Sequence, residues 1–254
     1  MTSIAVISDI HGNLHALEAV LAEIRRLRLR EIICLGDIVG YGPFPGECLD
    51  LVMARCRHSV RGNHDEAAFN LAAAATFNGN ALRAIRWTRE AMRADQLDML
   101  RLLPEVTYVE NDVMCIHNCP VPGPNDYIHD AGMAARAFRG VDVRVCLVGH
   151  THVPAVFEAP SANVEDYFKP AEIASFPLLD GQSLALKSGR RYICNPGSVG
   201  QPRDNDPRAS FGVLNTRRWT FTIRRVMYDI DAAQDATHAA GLPSILAERL
   251  ALGA

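Results

Sequence analysis

The chain has 254 residues, 48% of them hydrophobic and 22% charged. Twenty-six basic against 29 acidic residues leave a formal net charge of −3, which argues against a broad basic surface and a stable nucleic-acid complex. No apolar run reaches the roughly 18 residues a membrane span needs. Met1–Asp9 lacks a basic leader segment and reads as the start of a strand, so the cytoplasm is the expected compartment. Seven cysteines, an odd number with no CxxC pair, predict buried free thiols, not disulfides or a thiolate zinc site.

In chain order, Ile4–Ser8 is a short apolar strand. Leu14, Leu17, Val20, Leu21, Ile24 and Leu27 then recur at helical spacing. Glu31–Leu35 predicts a second strand, Glu47–Ala54 a short helix, and Arg57–Arg61 a third strand ending at Gly62. This βαβαβ rhythm favours parallel strands flanked by helices. Helices are expected near 65–75, 79–92 and 95–102. Strands return at Glu105–Val109 and Val113–Ile116, turning at Asn111-Asp112, and a helix near 130–138 leads to a strand over Val143–Val148. Pro120–Pro124 reads as a stiff loop within the domain. Further strands are expected at Val153–Glu158, Ile173–Phe176, Leu184–Lys187 and Arg191–Cys194. Ser210–Asn215 and Thr220–Val226 predict a hairpin, and two short helices near 230–239 and 243–251 close the chain. The expectation is one domain over residues 1–254, with two sheets in its core and a C-terminal helical extension.

Polar residues with metal-ligand character fall just after predicted strands. Asp9 and His11 follow the first strand and Asp37 the second; Asn63, His64 and Asp65 follow the third. His117 follows the strand ending at Ile116, and His150 and His152 follow the strand ending at Val148. In α/β sheets, ligands bind outside the carboxyl ends of strands. Singly, Asp9 reads as a helix cap, Asp37 as a turn former and a lone histidine as packing. Together, five hits at one topological position point to a metal site. Aspartate and neutral histidine suit Mn²⁺, Fe²⁺ and Zn²⁺. The set exceeds one ion's demand, and a carboxylate shared by two ions about 3.5–4 Å apart resolves the count. Glycines at 12, 36, 62 and 149 allow the backbone close to such a site.

The blocks Ser8-Asp9-Ile10-His11-Gly12-Asn13, Gly36-Asp37, Gly62-Asn63-His64-Asp65, His117 and Gly149-His150-Thr151-His152 resemble, in order, those of the calcineurin-like metallophosphoesterases. Asn195-Pro196-Gly197-Ser198-Val199-Gly200-Gln201-Pro202-Arg203 resembles their small bacterial and archaeal branch. The resemblance spans about residues 3–227. It implies an α/β fold, a four-layer α/β/β/α sandwich of two mixed sheets flanked by helices. It also implies two divalent metal ions. Asp9, His11, Asp37 and His152 would hold one, and Asp37, Asn63, His117 and His150 the other, with Asp37 bridging. Manganese is the expected metal, with iron, nickel or zinc as alternatives. A hydroxide bridging the ions would attack phosphorus directly, with no covalent phospho-enzyme.

His64 corresponds to the family's non-ligand histidine. It is assigned to phosphate binding and to protonating the leaving oxygen. Asp65 either orients His64 or caps a helix. The substrate-facing set is Asn13, Asn63, His64, Asn118 and Arg203. Within it, Asn13 either meets phosphate or caps a helix. Asn118, where the family favours Gly or Ala, either meets substrate or occupies a turn. Arg203 either grips an anionic substrate or pairs with Asp204 or Asp206. Cys119 is read as a bystander. The expected activity is hydrolysis of a small phosphodiester, because a monoester asks for more cationic groups than Arg203 supplies. Phosphomonoesterase and serine/threonine protein phosphatase are the alternatives. A non-catalytic phosphate-ligand-binding protein would have lost a ligand or His64, and this chain has lost none. Monomer and homodimer are both compatible with the sequence.

Overall fold

The computed structural model describes residues 3–110, 112–121, 123, 127–161 and 163–254. Strand β1 (Ile4–Ile7) leads through α1 (Leu14–Arg26), β2 (Glu31–Cys34) and α2 (Pro45–Arg55) to a short β3 (His58–Ser59). Strands β1, β2 and β3 are parallel, as the βαβαβ rhythm predicts. The third strand is shorter than the Arg57–Arg61 expectation, and the chain instead enters α3 (Asn63–Phe69) directly after Gly62. A 3₁₀ turn (Leu71–Ala74), α4 (Gly79–Ala91) and α5 (Ala94–Leu102) complete the helical stretch.

Next come β4 (Val106–Val109), β5 (Val113–Ile116), α6 (Ala131–Ala137), β6 (Val145–Leu147), β7 (Ala155–Ala159) and β8 (Ala174–Pro177). They are followed by β9 (Ser183–Ala185), β10 (Arg191–Asn195), β11 (Ala209–Asn215), β12 (Thr220–Val226), α7 (Ile230–Ala239) and α8 (Ser244–Leu252). Asn111, in the expected β4–β5 turn, and Pro122 and Pro124, in the expected stiff loop, lie outside the described residues.

One sheet runs β3-β2-β1-β11-β12-β9 and the other β4-β5-β6-β10-β7-β8. Both are mixed. In the second, β5, β6 and β10 form a parallel trio that matches β1, β2 and β3 in the first. Side-chain alternation along these strands builds the layers. Ile4 and Val6 of β1 share one buried cluster with Val113 and Cys115 of β5, Val145 and Leu147 of β6, and Tyr192 and Cys194 of β10. That cluster is the interface between the sheets. The intervening Ala5 and Ile7 turn to a second cluster with Leu17, Val20 and Ile24 of α1 and Leu49 of α2. Met114, Cys146 and Ile193 turn the other way, to Ala134 of α6 and to Phe138. Helix, sheet, sheet and helix are therefore stacked in four layers.

Tyr228, Ala233 of α7 and Leu250 of α8 join the cluster around α1. All seven cysteines are free thiols, six of them buried. No helix among the described residues is long and apolar enough to cross a membrane.

Candidate active site

The sheets stack so that the carboxyl ends of both parallel trios open at one place. Asp9 and His11 lie past β1, Asp37 past β2, His117 past β5, and His150 and His152 past β6. Asn63 and His64 form the first turn of α3, past β3. The side chains of Asp9, His11, Asp37, His117 and His152 are buried almost completely. Ligand atoms of Asp9, His11 and His152 fall within 4.8 Å of one another, and so do those of Asp37, His117 and His150. His11, Asp37 and His64 make a third such group.

Asp37 stands between the two sides. Its Oδ2 is 3.6 Å from His11 Nε2 and 3.2 Å from His117 Nε2, while Oδ1 accepts the backbone N–H of His64 at 2.8 Å. Asp9 Oδ1 is 3.3 Å from His152 Nε2 and 3.9 Å from His117 Nε2. The backbone N–H of His150 donates to the Asp9 carboxylate.

Three rings are locked in one tautomer. His11 Nδ1 donates to the Val39 carbonyl at 3.1 Å, His117 Nδ1 to that of Leu35 at 2.7 Å, and His152 Nδ1 to that of Gln201 at 2.6 Å. A carbonyl only accepts, so each Nδ1 carries a proton, and the neutral rings of His11 and His152 turn a bare Nε2 lone pair into the cluster. The Nε2 atoms of His11 and His152 then face each other at 3.1 Å. Two lone pairs at that distance repel unless a cation lies between or beside them. His117 Nε2 and Asn63 Oδ1 are likewise buried with no hydrogen-bond partner. The donor set thus fits divalent cations, and this ring geometry is the usual one for metal-bound histidine.

The electrostatics show the same demand for positive charge. Burial pushes the His117 pKa down, but the Asp37 and Asp9 carboxylates outweigh it and raise it to about 10. Burial pushes Asp37 up, yet His117, His64 and His11 hold it well below the ordinary carboxylate range. A proton on His117 therefore serves as the counter-charge to Asp37 when no metal does. Burial lowers His150 to about 3 and His64 to about 4, and holds His11 and His152 well below their usual value. Asp9 is raised to about 6, chiefly by burial.

The backbone is strained at the same residues. Asp9, His11, Asp37, His150 and His152 all have positive φ, from 49° to 70°. Left-handed backbone in a non-glycine residue costs on the order of 1–3 kcal/mol and gathers where surrounding structure enforces it. Here β10 and the loop after it do so. Asn195 Nδ2 donates to the Gly149 carbonyl at 2.7 Å and to Thr151 Oγ1 at 3.0 Å. Ser198 Oγ donates to the Asp9 carbonyl at 2.7 Å. Gly149 is small for a reason: a Cβ there would overlap Ser8 Oγ and stand 2.9 Å from Asp9 Oδ2.

Asp65 and Asn13 each take the helix-capping role that the sequence left open beside a role at the site. Asp65 does not orient the His64 ring. It is fully buried, and its carboxylate accepts the backbone N–H groups of Ile38 (2.8 Å), Val39 (3.1 Å) and Gly62 (3.0 Å). It caps α3 and ties that helix to the Asp37 loop. Asn13 is likewise engaged in structure: Oδ1 accepts Ala16 N–H to cap α1, and Nδ2 donates to the Gly200 carbonyl.

Arg203 pairs with neither Asp204 nor Asp206, because Arg225 takes the first and Arg208 the second. Its guanidinium donates to Gln201 Oε1 at 3.1 Å, and among the described residues no carboxylate pairs with it. Its positive charge is felt at Asp9, His11, His64 and His152. Asn118 Oδ1 is buried and unpartnered, and the residue lines a cleft of about 550 Å³ together with Asn63, His64 and His150. Cys119 is buried away from the ligand groups, with Sγ 3.6 Å from Arg136 Nη2.

Sequence reasoning missed Tyr41, Phe77 and Tyr127. Tyr41 and Phe77 each pack on the His64 ring with centroids 4.5 Å apart, and Tyr127 stacks on His150 at 4.0 Å. Aromatic residues carry no ligand signature, so nothing in the chain order marked them. Asn195 and Ser198 lay in a segment picked out only by resemblance.

The sequence model of the calcineurin-like phosphoesterase superfamily domain matches residues 2–218. The chain belongs to this superfamily. A metallophosphoesterase from Sphaerobacter thermophilus, of solved structure, is similar over 100% of this chain and 99% of its own, at 40% identity and a TM-score of 0.86. An uncharacterized protein of Methanocaldococcus jannaschii is 36% identical over 260 aligned positions, covering 98% of each chain. A hypothetical protein from Pyrococcus horikoshii OT3 shares the fold, with a TM-score of 0.78 at 20% identity over 100% of this chain and 99% of its own. As a calcineurin-like phosphoesterase with an intact donor set, the protein is a metal-dependent enzyme hydrolysing phosphoester bonds.

Proposed function

We infer that the enzyme cleaves small phosphodiesters at a two-metal centre, with manganese as the working metal and the whole chain as one catalytic unit. The observation that carries this reading is the pair of opposed Nε2 lone pairs on His11 and His152, 3.1 Å apart and beside Asp9 and Asp37. Asp9, His11, Asp37 and His152 would hold one ion, and Asp37, Asn63, His117 and His150 the other. Bound there, two divalent cations acidify a water to near-neutral pKa and draw charge from the phosphoryl oxygens.

The chain's own residues supply the rest. Carbonyls of Val39, Leu35 and Gln201 fix the ring tautomers. Asp37 is oriented by the His64 amide, which leaves Oδ2 free to face both sides. His64 is neutral at pH 7, has a buried, unpartnered Nδ1, and brings a ring nitrogen within 4.8 Å of ligand atoms of His11 and Asp37. An incoming phosphate anion raises its proton affinity, so it binds the phosphoryl group and hands a proton to the leaving oxygen. Arg203, which has no carboxylate partner among the described residues, grips a non-bridging oxygen. Asn63 and Asn118 face the substrate from the cleft. A diester is favoured over a monoester because neither Lys nor Arg lines that cleft among the described residues.

The test is a steady-state assay on metal-stripped protein refilled with Mn²⁺, comparing p-nitrophenyl phosphate with its bis-p-nitrophenyl diester. The diester should show the higher kcat/KM. His64→Ala should lower kcat by about 10²–10⁴-fold, and Asp37→Ala should abolish turnover. Full activity in Asp37→Ala would overturn the reading.

A further inference from the structure

The cleft beside the donor cluster has a particular wall chemistry. On one side, Tyr41, His64 and Phe77 form a continuous aromatic run, with ring centroids 4.5 Å apart at each step. On the other, Tyr127 lies parallel to His150, 28° between planes and 4.0 Å between centroids. Tyr41 belongs to a buried apolar cluster with Ala81 and Ala84 of α4 and with Leu242 and Leu246 at the chain's C-terminal helices. It is thus a fixed wall, whereas Tyr127 is an exposed rim residue. Glu66 is the one permanently charged residue lining the cleft among the described residues. Its partner Arg61, 3.9 Å away, is not among the lining residues.

We propose that this cleft seats a planar, uncharged aromatic substituent of the phosphoester, held against the Tyr41–His64–Phe77 wall and closed over by Tyr127. The inference rests on the phosphoester reading of the adjacent donor cluster. Ring faces attract another ring face in offset or edge-on contact, and such contacts add to simple burial of area. A flexible alkyl chain gains only the burial. A second phosphate or a carboxylate on the same substituent would meet Glu66 and no cation, so polyanionic substrates are disfavoured. The volume of about 550 Å³ exceeds what a single phenyl ring fills, which leaves room for a bicyclic base and its sugar. Asn118 then offers its unpartnered carbonyl oxygen to an N–H group on the rim of such a base.

Phosphonates test this, because they present one phosphoryl group and are not hydrolysed. Binding to Mn²⁺-loaded protein is measured by calorimetry for methyl-, cyclohexyl-, phenyl- and 4-carboxyphenylphosphonate, and for an adenine-bearing alkylphosphonate. Phenyl should bind about three- to tenfold tighter than the size-matched cyclohexyl compound, and 4-carboxyphenyl weaker than phenyl. An adenine compound tighter than phenyl identifies a nucleobase as the occupant; the reverse order identifies a simple aryl group. Phe77→Leu and Tyr127→Leu should each bring the phenyl-to-cyclohexyl ratio close to one. Tyr127→Leu keeps the test valid if Phe77→Leu folds poorly, since Tyr127 is exposed. Equal binding of phenyl and cyclohexyl compounds by the wild-type protein overturns the inference while leaving the phosphoester site standing. Failure of methylphosphonate to bind in a Mn²⁺-dependent way defeats the underlying site reading instead.

Discussion

Asn195 touches no proposed ligand side chain, yet its loss should weaken metal binding. Its Nδ2 donates to the Gly149 carbonyl and to Thr151 Oγ1, and its Oδ1 accepts Gly197 N–H at 2.8 Å. These bonds brace residues 149–152, where His150 and His152 both sit at positive φ. Asn195→Ala removes three hydrogen bonds, each worth about 1 kcal/mol net, so a stability loss of roughly 3 kcal/mol follows. Part of that loss is the freedom of residues 149–152 to relax toward ordinary backbone. Relaxation swings His150 and His152 away from Asp37 and Asp9. Loss of such an outer support costs about 10–100-fold in metal affinity, or roughly 1.4–2.7 kcal/mol. Calorimetric titration of the stripped protein with Mn²⁺ reads the affinity, and urea unfolding in chelator reads the stability. Mn²⁺ affinity within twofold of wild type, alongside the expected stability loss, would refute the argument that this clamp shapes the metal site.

Four further outcomes are expected. Gly62→Ala places a methyl on the Asp37 carboxylate and backbone nitrogen, so Mn²⁺ binding should fall by more than about 100-fold; a normal binding isotherm would contradict the packing argument. Asp65→Asn loses a backbone acceptor at Gly62 and should cost about 1–3 kcal/mol in urea unfolding without moving the acid limb of the kcat profile, whereas a shifted limb would restore Asp65 as a partner of His64. Arg203→Met should lower kcat/KM for anionic substrates by about 10–100-fold, the worth of a charge-assisted hydrogen bond, while the thermal midpoint holds because no carboxylate loses its partner; a collapse in stability with normal kinetics would refute it. Metal-stripped protein should lose stability on acidification from pH 6.5 toward 5. His11, His64, His150 and His152 have folded pKa values below the unfolded 6.5, so the unfolded chain takes up protons that the folded chain refuses. Asp9 and Asp65, raised to about 6 and about 7, oppose this by binding protons in the folded state. His117, raised to about 10, also holds its proton in the folded state, so the excess uptake by the unfolded chain grows from about half a proton near pH 6.5 to about two near pH 5, a slope rising from about 0.7 to about 2.7 kcal/mol per pH unit. A flat or rising urea midpoint over that range would show that the buried histidines are not neutral.

Much of this architecture was legible because each strand carries its own period. Ile4 and Val6 face one way and Ala5 and Ile7 the other, but all four are apolar, so β1 reads as a strand covered on both faces. The same holds for Val145–Leu147. The donor residues were legible because their chemistry is scarce and each follows such a strand. What stayed hidden depends on distance in three dimensions. Asp65 follows His64 in the chain, yet its carboxylate turns to the backbone of Ile38 and Val39, 27 and 26 residues earlier in sequence. Arg203 precedes Asp204, yet Arg225 from a neighbouring strand takes that carboxylate. Sequence adjacency suggested both pairings, and competition from residues brought in by the sheets decided against them.

The shared location of strain and charge has a physical basis. Five donors converge only if their loops turn back sharply over the strand ends, and positive φ is how a short loop makes that turn. Glycine would relieve the strain but carries no ligand atom. The chain therefore places a ligand at these five strained positions and sets glycine or a hydrogen-bonding side chain beside some of them, as with Gly149 against Ser8 and Asp9, or Asn195 bonded to residues 149 and 151. Mutual repulsion among the buried lone pairs and carboxylates adds to the strain until cations enter. Relief of that repulsion adds to the affinity for metal, and through that affinity to the stability the metal confers on the fold. The stabilising clamps come from β10 and the loop after it, which join the two sheets at their common carboxyl edge. The metal centre is thus a property of how the sheets meet, and neither sheet's loops alone would hold it.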